Sequence, residues 1–379
     1  MTVATHAAYL LALGMALRVS TAVADHHVID LEALDDDTWT LVDQGGITSS
    51  VQIMAYSGGW FDSDNDQFCI FGGGHFNYSG NEVWCFDTTL QTWKLMYEPD
   101  VLTSAPYEGG EPGDYSNFDN SRYPGALFSP AGEDITDALP ASRHTYDALE
   151  FAPGFGAILW GGIAWGDIDS PWCTRCNDTW VYSFPENDWT YLFNGKNPSP
   201  NESPGVGASA YSTKDGRLYS KVLNTLWSFD PDKNRWSEVR AGGTPPWTIE
   251  GTLEYNPDRH SLYFFGGNYE ANYELWEFDI AKRRWSNLKP AGDAPSGGAS
   301  NGPGLAYDTR NRALVVYSGG TVWSYDPDGN AWNTHAQGDG PTDESYVFGR
   351  FRYDARNNGF WLHAMHNDDH STWFYRLRN

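Results

Sequence analysis

The chain has 379 residues, with 50 Asp and Glu against 24 Lys and Arg, a formal net charge of −26. That imbalance argues against nucleic acid and anionic membrane as partners, because both attractions need an excess of cations. The 18 Trp, 22 Tyr and 19 Phe are ample for a packed core, while 40 Gly and 21 Pro leave few long unbroken runs, which argues against a helical bundle and for many short strands.

Residues 1–24 read as a signal peptide. Ala7 to Leu17 is an apolar run too short to span a bilayer, and Ala22 and Ala24 make a small-residue cleavage pattern, although Met1 to His6 holds no Lys or Arg. The expected mature chain is one domain over 25–379, secreted to the extracellular space or a periplasm. No later apolar run approaches the about 18 residues of a membrane span. Export would permit disulfides.

A repeat follows, written in tryptophan. Six segments read x-Trp-x-aromatic, centred on Trp84, Trp180, Trp227, Trp276, Trp323 and Trp373, at intervals of 96, 47, 49, 47 and 50. In the first five a second Trp stands nine residues on: Trp93, Trp189, Trp236, Trp285 and Trp332. The sixth has none, but Asp37-Thr38-Trp39-Thr40-Leu41 near the other end supplies a matching piece. Upstream, apolar strands end in glycines at Ile70-Phe71-Gly72-Gly73, Leu159-Trp160-Gly161-Gly162, Phe264-Phe265-Gly266-Gly267 and Val316-Tyr317-Ser318-Gly319-Gly320. Earlier still, short strands end near Tyr56, Phe151, Tyr211, Tyr255, Tyr307 and Tyr353. Each unit thus predicts four strands, and radial repetition of such sheets makes a β-propeller. The strand at Trp39 is expected to complete the last sheet and close the ring.

The double glycine, the first Trp and the second Trp together resemble the kelch-repeat propellers, the superfamily that includes the central domain of galactose oxidase. The resemblance covers nearly all of residues 37–377. It departs in the third and sixth units, where Leu218-Tyr219-Ser220 and Trp361-Leu362-His363 replace the glycine strand. It implies an all-β fold, a six-bladed kelch-type propeller, with a long loop insertion at about 98–139 rather than a seventh blade. A monomer is expected.

In such propellers the loops after the glycines and the loops entering each innermost strand open on one face, where a rigid ring can position binding groups. They offer His75, Asn77, Tyr78 and Asn81 in the first unit; Arg143, His144 and Tyr146 in the second; Glu250, Asn268 and Tyr269 in the fourth; Asn301 in the fifth; and Tyr346, Arg350, His363 and His366 in the sixth. Three positions before the shared aromatic stand Ile53, Ala148, Ala208, Thr252, Gly304 and Arg350. Arg350 alone is charged, so it is either an anion anchor in the central pocket or a structural partner of a nearby carboxylate. His144 is either a proton-transfer group or a strand cap. His363 and His366 are pocket acids or bases, ligands of a divalent metal such as zinc or calcium, or solvated turn residues.

Cys69 and Cys85 lie in strands that pair as a hairpin, so a cross-strand disulfide is expected. Cys173 and Cys176 form a lone Cys-x-x-Cys, read as a small disulfide loop or half of a zinc site. Pairing all four cysteines would leave none for the Cys–Tyr crosslink of galactose oxidase-like copper chemistry.

Two functions fit. The first is a polysaccharide lyase that cleaves a uronate polymer by β-elimination. Arg350 or Arg143 would neutralise the carboxylate, His144 or His75 would take the proton, and Tyr346 or Tyr146 would protonate the leaving oxygen. Asn77, Tyr78, Asn81, Glu250, Asn268, Tyr269 and Asn301 would bind substrate. The second is a secreted propeller that binds glycan or protein without catalysis.

Overall fold

The computed structural model describes residues 27–44, 46–47, 54, 56–73, 81–97, 139–140, 142–164, 178–192, 207–246, 250–266, 273–295, 302–318, 320–335, 340–341, 346–364 and 371–378. Residues 1–24, residues 98–138 of the expected insertion and the Cys173–Cys176 pair lie outside them.

Among these residues, six antiparallel four-stranded sheets form the blades of a β-propeller. From inside to outside, blade one holds Gly59–Asp62, Gln67–Phe71, Val83–Asp87 and Thr92–Leu95. Blade two holds Leu149–Ala152, Gly156–Trp160, Thr179–Ser183 and Asp188–Tyr191. Blade three holds Ala208–Ser212, Arg217–Val222, Thr225–Asp230 and Arg235–Val239. Blade four holds Thr252–Asn256, Ser261–Gly266, Glu274–Asp279 and Arg284–Asn287, and blade five Gly304–Asp308, Ala313–Ser318, Thr321–Asp326 and Ala331–His335. Blade six is Phe351–Asp354, Gly359–His363 and Ser371–Arg376, completed by Thr38–Gln44. The N-terminal strand therefore closes the ring, with Leu41 opposite Trp373 and Thr38 opposite Arg376. Neighbouring innermost strands pack in an unbroken circle, blade six against blade one included.

The blades form because the same local chemistry recurs. Asp62, Asn256, Asp308 and Asp354 end their innermost strands, and each accepts two backbone N–H groups of the following turn through Oδ1. Those four turns end on Asp66, His260, Arg312 and Asn358, whose φ values of 49 to 55° are left-handed. The next strand then starts antiparallel to the last.

The outer-strand tryptophans fill the wedges between blades. Trp189 lies against Tyr182 of its own blade and Phe71 of blade one, with centroids 5.2 and 5.0 Å away. Trp236 meets Phe229 and Trp160, Trp332 meets Tyr325 and Phe265, and Trp39 meets Tyr375 and Tyr317 in the same way. The wedge position on the second strand is thus Phe71, Trp160, Phe265, Tyr317 and, in blade six, His363, against which Trp93 of blade one packs at 4.7 Å. In blade three that register holds Lys221, opposite Leu226. Its ammonium donates to Leu223 O and Pro246 O and sits 4.1 Å from the Phe264 ring centroid.

Cys69 and Cys85 face each other in register and form a disulfide. One expectation shifts: the innermost strand of blade one is Gly59–Asp62, with Phe61 opposite Phe68, so Phe61 and not Tyr56 is its shared aromatic. Tyr56 lies before the strand, in the segment that enters it.

Candidate functional site

In each antiparallel blade, the second turn and the segment entering the innermost strand lie at the same end. At that end of blade two, Arg143–His144 pairs with Ile163–Ala164 as a short ribbon, which fixes the entering segment. Blade six enters through a single 3-10 turn at Phe348–Arg350. Arg350 thus precedes its innermost strand rather than lying on it.

These segments bring aromatic rings from blades one, two and six into one cluster. The Tyr56 ring stacks on His144 at 4.9 Å and lies 4.2 Å from Tyr346 and 6.0 Å from Tyr146. His144 and Tyr146 meet edge to face at 5.9 Å, and Phe348 closes the base at 5.4 Å from Tyr146. Phe348 is buried, while Tyr56, His144 and Tyr346 keep part of their surface open. Tyr56, Tyr146 and Tyr346 all have left-handed backbone, with φ of 57, 50 and 56°. A bulky residue is costly there, and such strain concentrates at sites that need fixed geometry. Backbone bonds hold it: Tyr146 N donates to Tyr56 O at 2.8 Å, and Val347 N to Gly302 O at 2.7 Å.

The two arginines are set deeper. Arg143 is fully buried and its fork meets the Asp178 carboxylate at 2.6 and 2.9 Å, with Gly161 O taking a third bond. Trp180 Nε1 donates to the same carboxylate. Arg350, also fully buried, donates to Tyr346 O at 3.0 Å and to His363 O. It therefore ties the Tyr346 turn to the second strand of blade six.

His363 is buried in that strand, with Nδ1 3.0 Å from Thr372 Oγ1, where it serves as the wedge residue described above and not as a solvated turn residue. No group of His, Cys, Asp or Glu among the described residues is arranged to hold a metal ion. Asn81 is buried, and donates to Pro140 O while its carbonyl accepts the Tyr97 hydroxyl. Glu250 is half-buried at the entry to blade four, and burial pushes its carboxyl up to about 7. His75, Asn77, Tyr78, Asn268, Tyr269, Asn301 and His366 lie outside the described residues.

A protein-family model described as the KLHDC2/KLHL20/DRC7 Kelch-repeats domain matches residues 140–320. Those residues span blades two to four and the first two strands of blade five, and the remaining sheets repeat their order and their Trp wedges. The chain is a kelch-repeat β-propeller. No curated protein matches it in sequence.

The centre of this kelch ring holds a charged cluster. Arg352 donates to Glu150 Oε2 at 2.8 Å, to Gly59 O at 2.9 and 3.1 Å, to Leu149 O at 3.0 Å and to Gly349 O at 3.0 Å. One guanidinium therefore staples blades six, one and two. Gly349 allows it, since a Cβ there would lie 2.5 Å from Gly59 O. Asp147 spans the other side: its carbonyl accepts Ser209 N of blade three and its carboxylate accepts Leu253 N of blade four, both at 2.8 Å. Glu254 of blade four completes the set. Burial, and then repulsion from Glu150, pushes Glu254 up to about 8, against the opposing pull of Arg352. Burial raises Asp147 and Glu150 as well, and Arg352 again opposes it.

The tally of charges three positions before the aromatic passes over this cluster. One position before it, with blade one corrected to Phe61, stand Trp60, Glu150, Ala210, Glu254, Ala306 and Arg352. Charge there is the signal that locates the cluster.

Proposed function

We propose that this propeller acts on carbohydrate at the channel mouth, as a secreted lyase that cleaves a uronate-containing polysaccharide by β-elimination. The observation that carries this reading is the convergence of His144 with Tyr56, Tyr146 and Tyr346 in one partly open cluster. β-Elimination needs a base for the proton next to the uronate carboxylate and an acid for the leaving glycosidic oxygen. An imidazole beside phenols supplies both. His144 takes the proton, and a tyrosine, Tyr56 or Tyr346, gives one to the leaving oxygen. Arg350 acts as a positioning residue that holds the Tyr346 turn. The Cys69–Cys85 disulfide and the apolar leader both suit an oxidising compartment.

A second reading, a glycan-binding propeller without catalysis, is favoured by a different observation. Both guanidinia offered by the sequence for carboxylate neutralisation are buried and engaged by protein acceptors. One experiment separates the two readings. The protein is incubated with a panel of uronate polymers while the ultraviolet absorbance of unsaturated uronate is followed. A lyase raises it, and His144→Ala and Tyr56→Phe each slow the rise by about 10²–10⁴-fold, the usual worth of positioned proton transfer. A flat trace with retarded migration in a polymer-loaded gel selects the binder.

A further inference from the structure

We propose that the cleft between blades three and four binds an acidic sugar unit, a uronate residue of a polymer, at a site separate from the channel mouth. The choice of uronate rests on the lyase reading above. The site itself rests on three independent observations.

The first is a cavity. Its volume is about 360 Å³, and it is lined among others by Asp215, Arg217, Tyr219, Ser237, Glu238 and Arg283. Small-ligand pockets run from about 300 to 1,000 Å³, so this one suits one or two sugar rings. Asp215 lies in the first turn of blade three and Arg217 directly follows it, and Arg283 sits in the third turn of blade four. Both turns lie at the end of the blades opposite to Tyr56 and His144, so the cleft and the mouth are distinct.

The second is the state of the cations. Arg217 is already paired with Asp230 at 3.0 Å, and Tyr219 donates to Asp215 at 2.7 Å. Arg283 is exposed, and its guanidinium has no hydrogen bond or ion pair to any described residue. It borders the cleft with its fork available.

The third is the distribution of charge. Residues 207–295, blades three and four, carry 11 of the 24 Lys and Arg but only 12 of the 50 Asp and Glu. Their net charge is −1, which leaves −25 of the total −26 to the rest of the chain. Most of that remainder lies in residues 1–206, which carry −23, against −2 for residues 296–379, so a polyanion is repelled less along the second half of the chain, which holds this cleft, than along the first. Chemistry then fits the class of ligand. A uronate carboxylate accepts the planar fork of Arg283, and ring hydroxyls donate to Asp215 and Glu238. A neutral sugar would leave Arg283 without its anion, and a bare polyanion would leave the two carboxylates opposed.

The test is calorimetric titration of the full chain with a uronate trisaccharide and with the same sugar reduced at its carboxyls. The wild type should prefer the acidic form. Arg283→Gln should lower affinity for the acidic form roughly tenfold or more, as expected for a lost charge-assisted bond, and leave the neutral form unchanged. Arg283→Lys should recover part of the loss. The substitution is on an exposed turn, so the melting midpoint should hold. Equal affinity of Arg283→Gln and wild type for the acidic sugar overturns the proposal, as does a wild type without preference. The lyase reading fails separately: a flat absorbance trace together with a preference lost in Arg283→Gln sinks the lyase and keeps the cleft.

Discussion

Arg352 Nη1 lies 2.8 Å from Glu150 Oε2 and joins blade six to blade two over the innermost strand of blade one. Neither side chain is more than 15% exposed, so each ion depends on the other for the solvation it gave up. The same guanidinium serves the carbonyls of Gly59, Leu149 and Gly349.

Arg352→Ala should therefore cost about 3–5 kcal/mol, the range for breaking a buried pair from one side. Urea unfolding at neutral pH measures it. In mild acid the loss should be smaller, because Glu150 can then take up a proton. A cost under about 1 kcal/mol, typical of a surface pair, would mean that the staple is dispensable.

Stability should fall as the solution turns alkaline. Glu254 is raised from about 4.5 to about 8 in the fold, chiefly by burial, and Asp147 and Glu150 move the same way. The folded state thus holds protons that the unfolded chain releases. That contribution is complete below the ordinary carboxylate range and disappears as pH rises through the folded value, near 8 for Glu254. Melting midpoints taken across this window should decline. Glu254→Gln, which cannot ionise, should flatten the decline; an identical slope in both proteins refutes the assignment.

Trp39→Ala should cost about 3–5 kcal/mol, as for other buried tryptophans. The ring loses its packing on Tyr375 and Tyr317, and with it the grip of blade six on blade five. Removal of residues 38–44 should lower the melting midpoint further by opening blade six. An unchanged melting curve in the truncated chain would rule out closure by this strand.

Replacing Cys69 and Cys85 together by Ala should destabilise by roughly 3 kcal/mol, the chain-entropy value for a loop of about 15 residues. Denaturant midpoints of oxidised, reduced and substituted protein check it. The reduced and substituted forms should agree, and a substituted protein as stable as the oxidised one contradicts the estimate.

The ring was legible because its tryptophans are wedges. A residue that fills the same gap in every blade must recur at the blade period, so Trp93 to Trp332 announce the sheets, and the missing sixth points to Trp39. His144, Tyr146, Tyr346 and Arg350 were legible for a related reason: they stand at entry segments fixed by the repeat. Tyr56 joined them only through the structure, because the strand it precedes is four residues long and its own aromatic partner is Phe61. Glu150, Glu254 and Arg352 were hidden by alternation. In an open sheet, a charged residue between apolar neighbours on a strand faces water. In a closed ring that side faces the channel, so the pattern that ordinarily signals a surface here marks the centre. Arg350 and His363 drew notice by departing from their equivalents in other blades, yet their work is to hold the Tyr346 turn and to fill a wedge.

The pairing of Thr38–Gln44 with Ser371–Arg376 also sets an order in time. The Tyr375 hydroxyl donates to Asp37 across 338 positions of the chain. At roughly 5–20 residues per second, a ribosome takes on the order of tens of seconds to cover that distance. For that interval the earliest strand exists without its partner, and the nascent arc carries two raw edges able to pair with a neighbouring chain. Any pause or truncation after blade five would prolong that state, so the hazard in making this protein falls in its last few dozen residues.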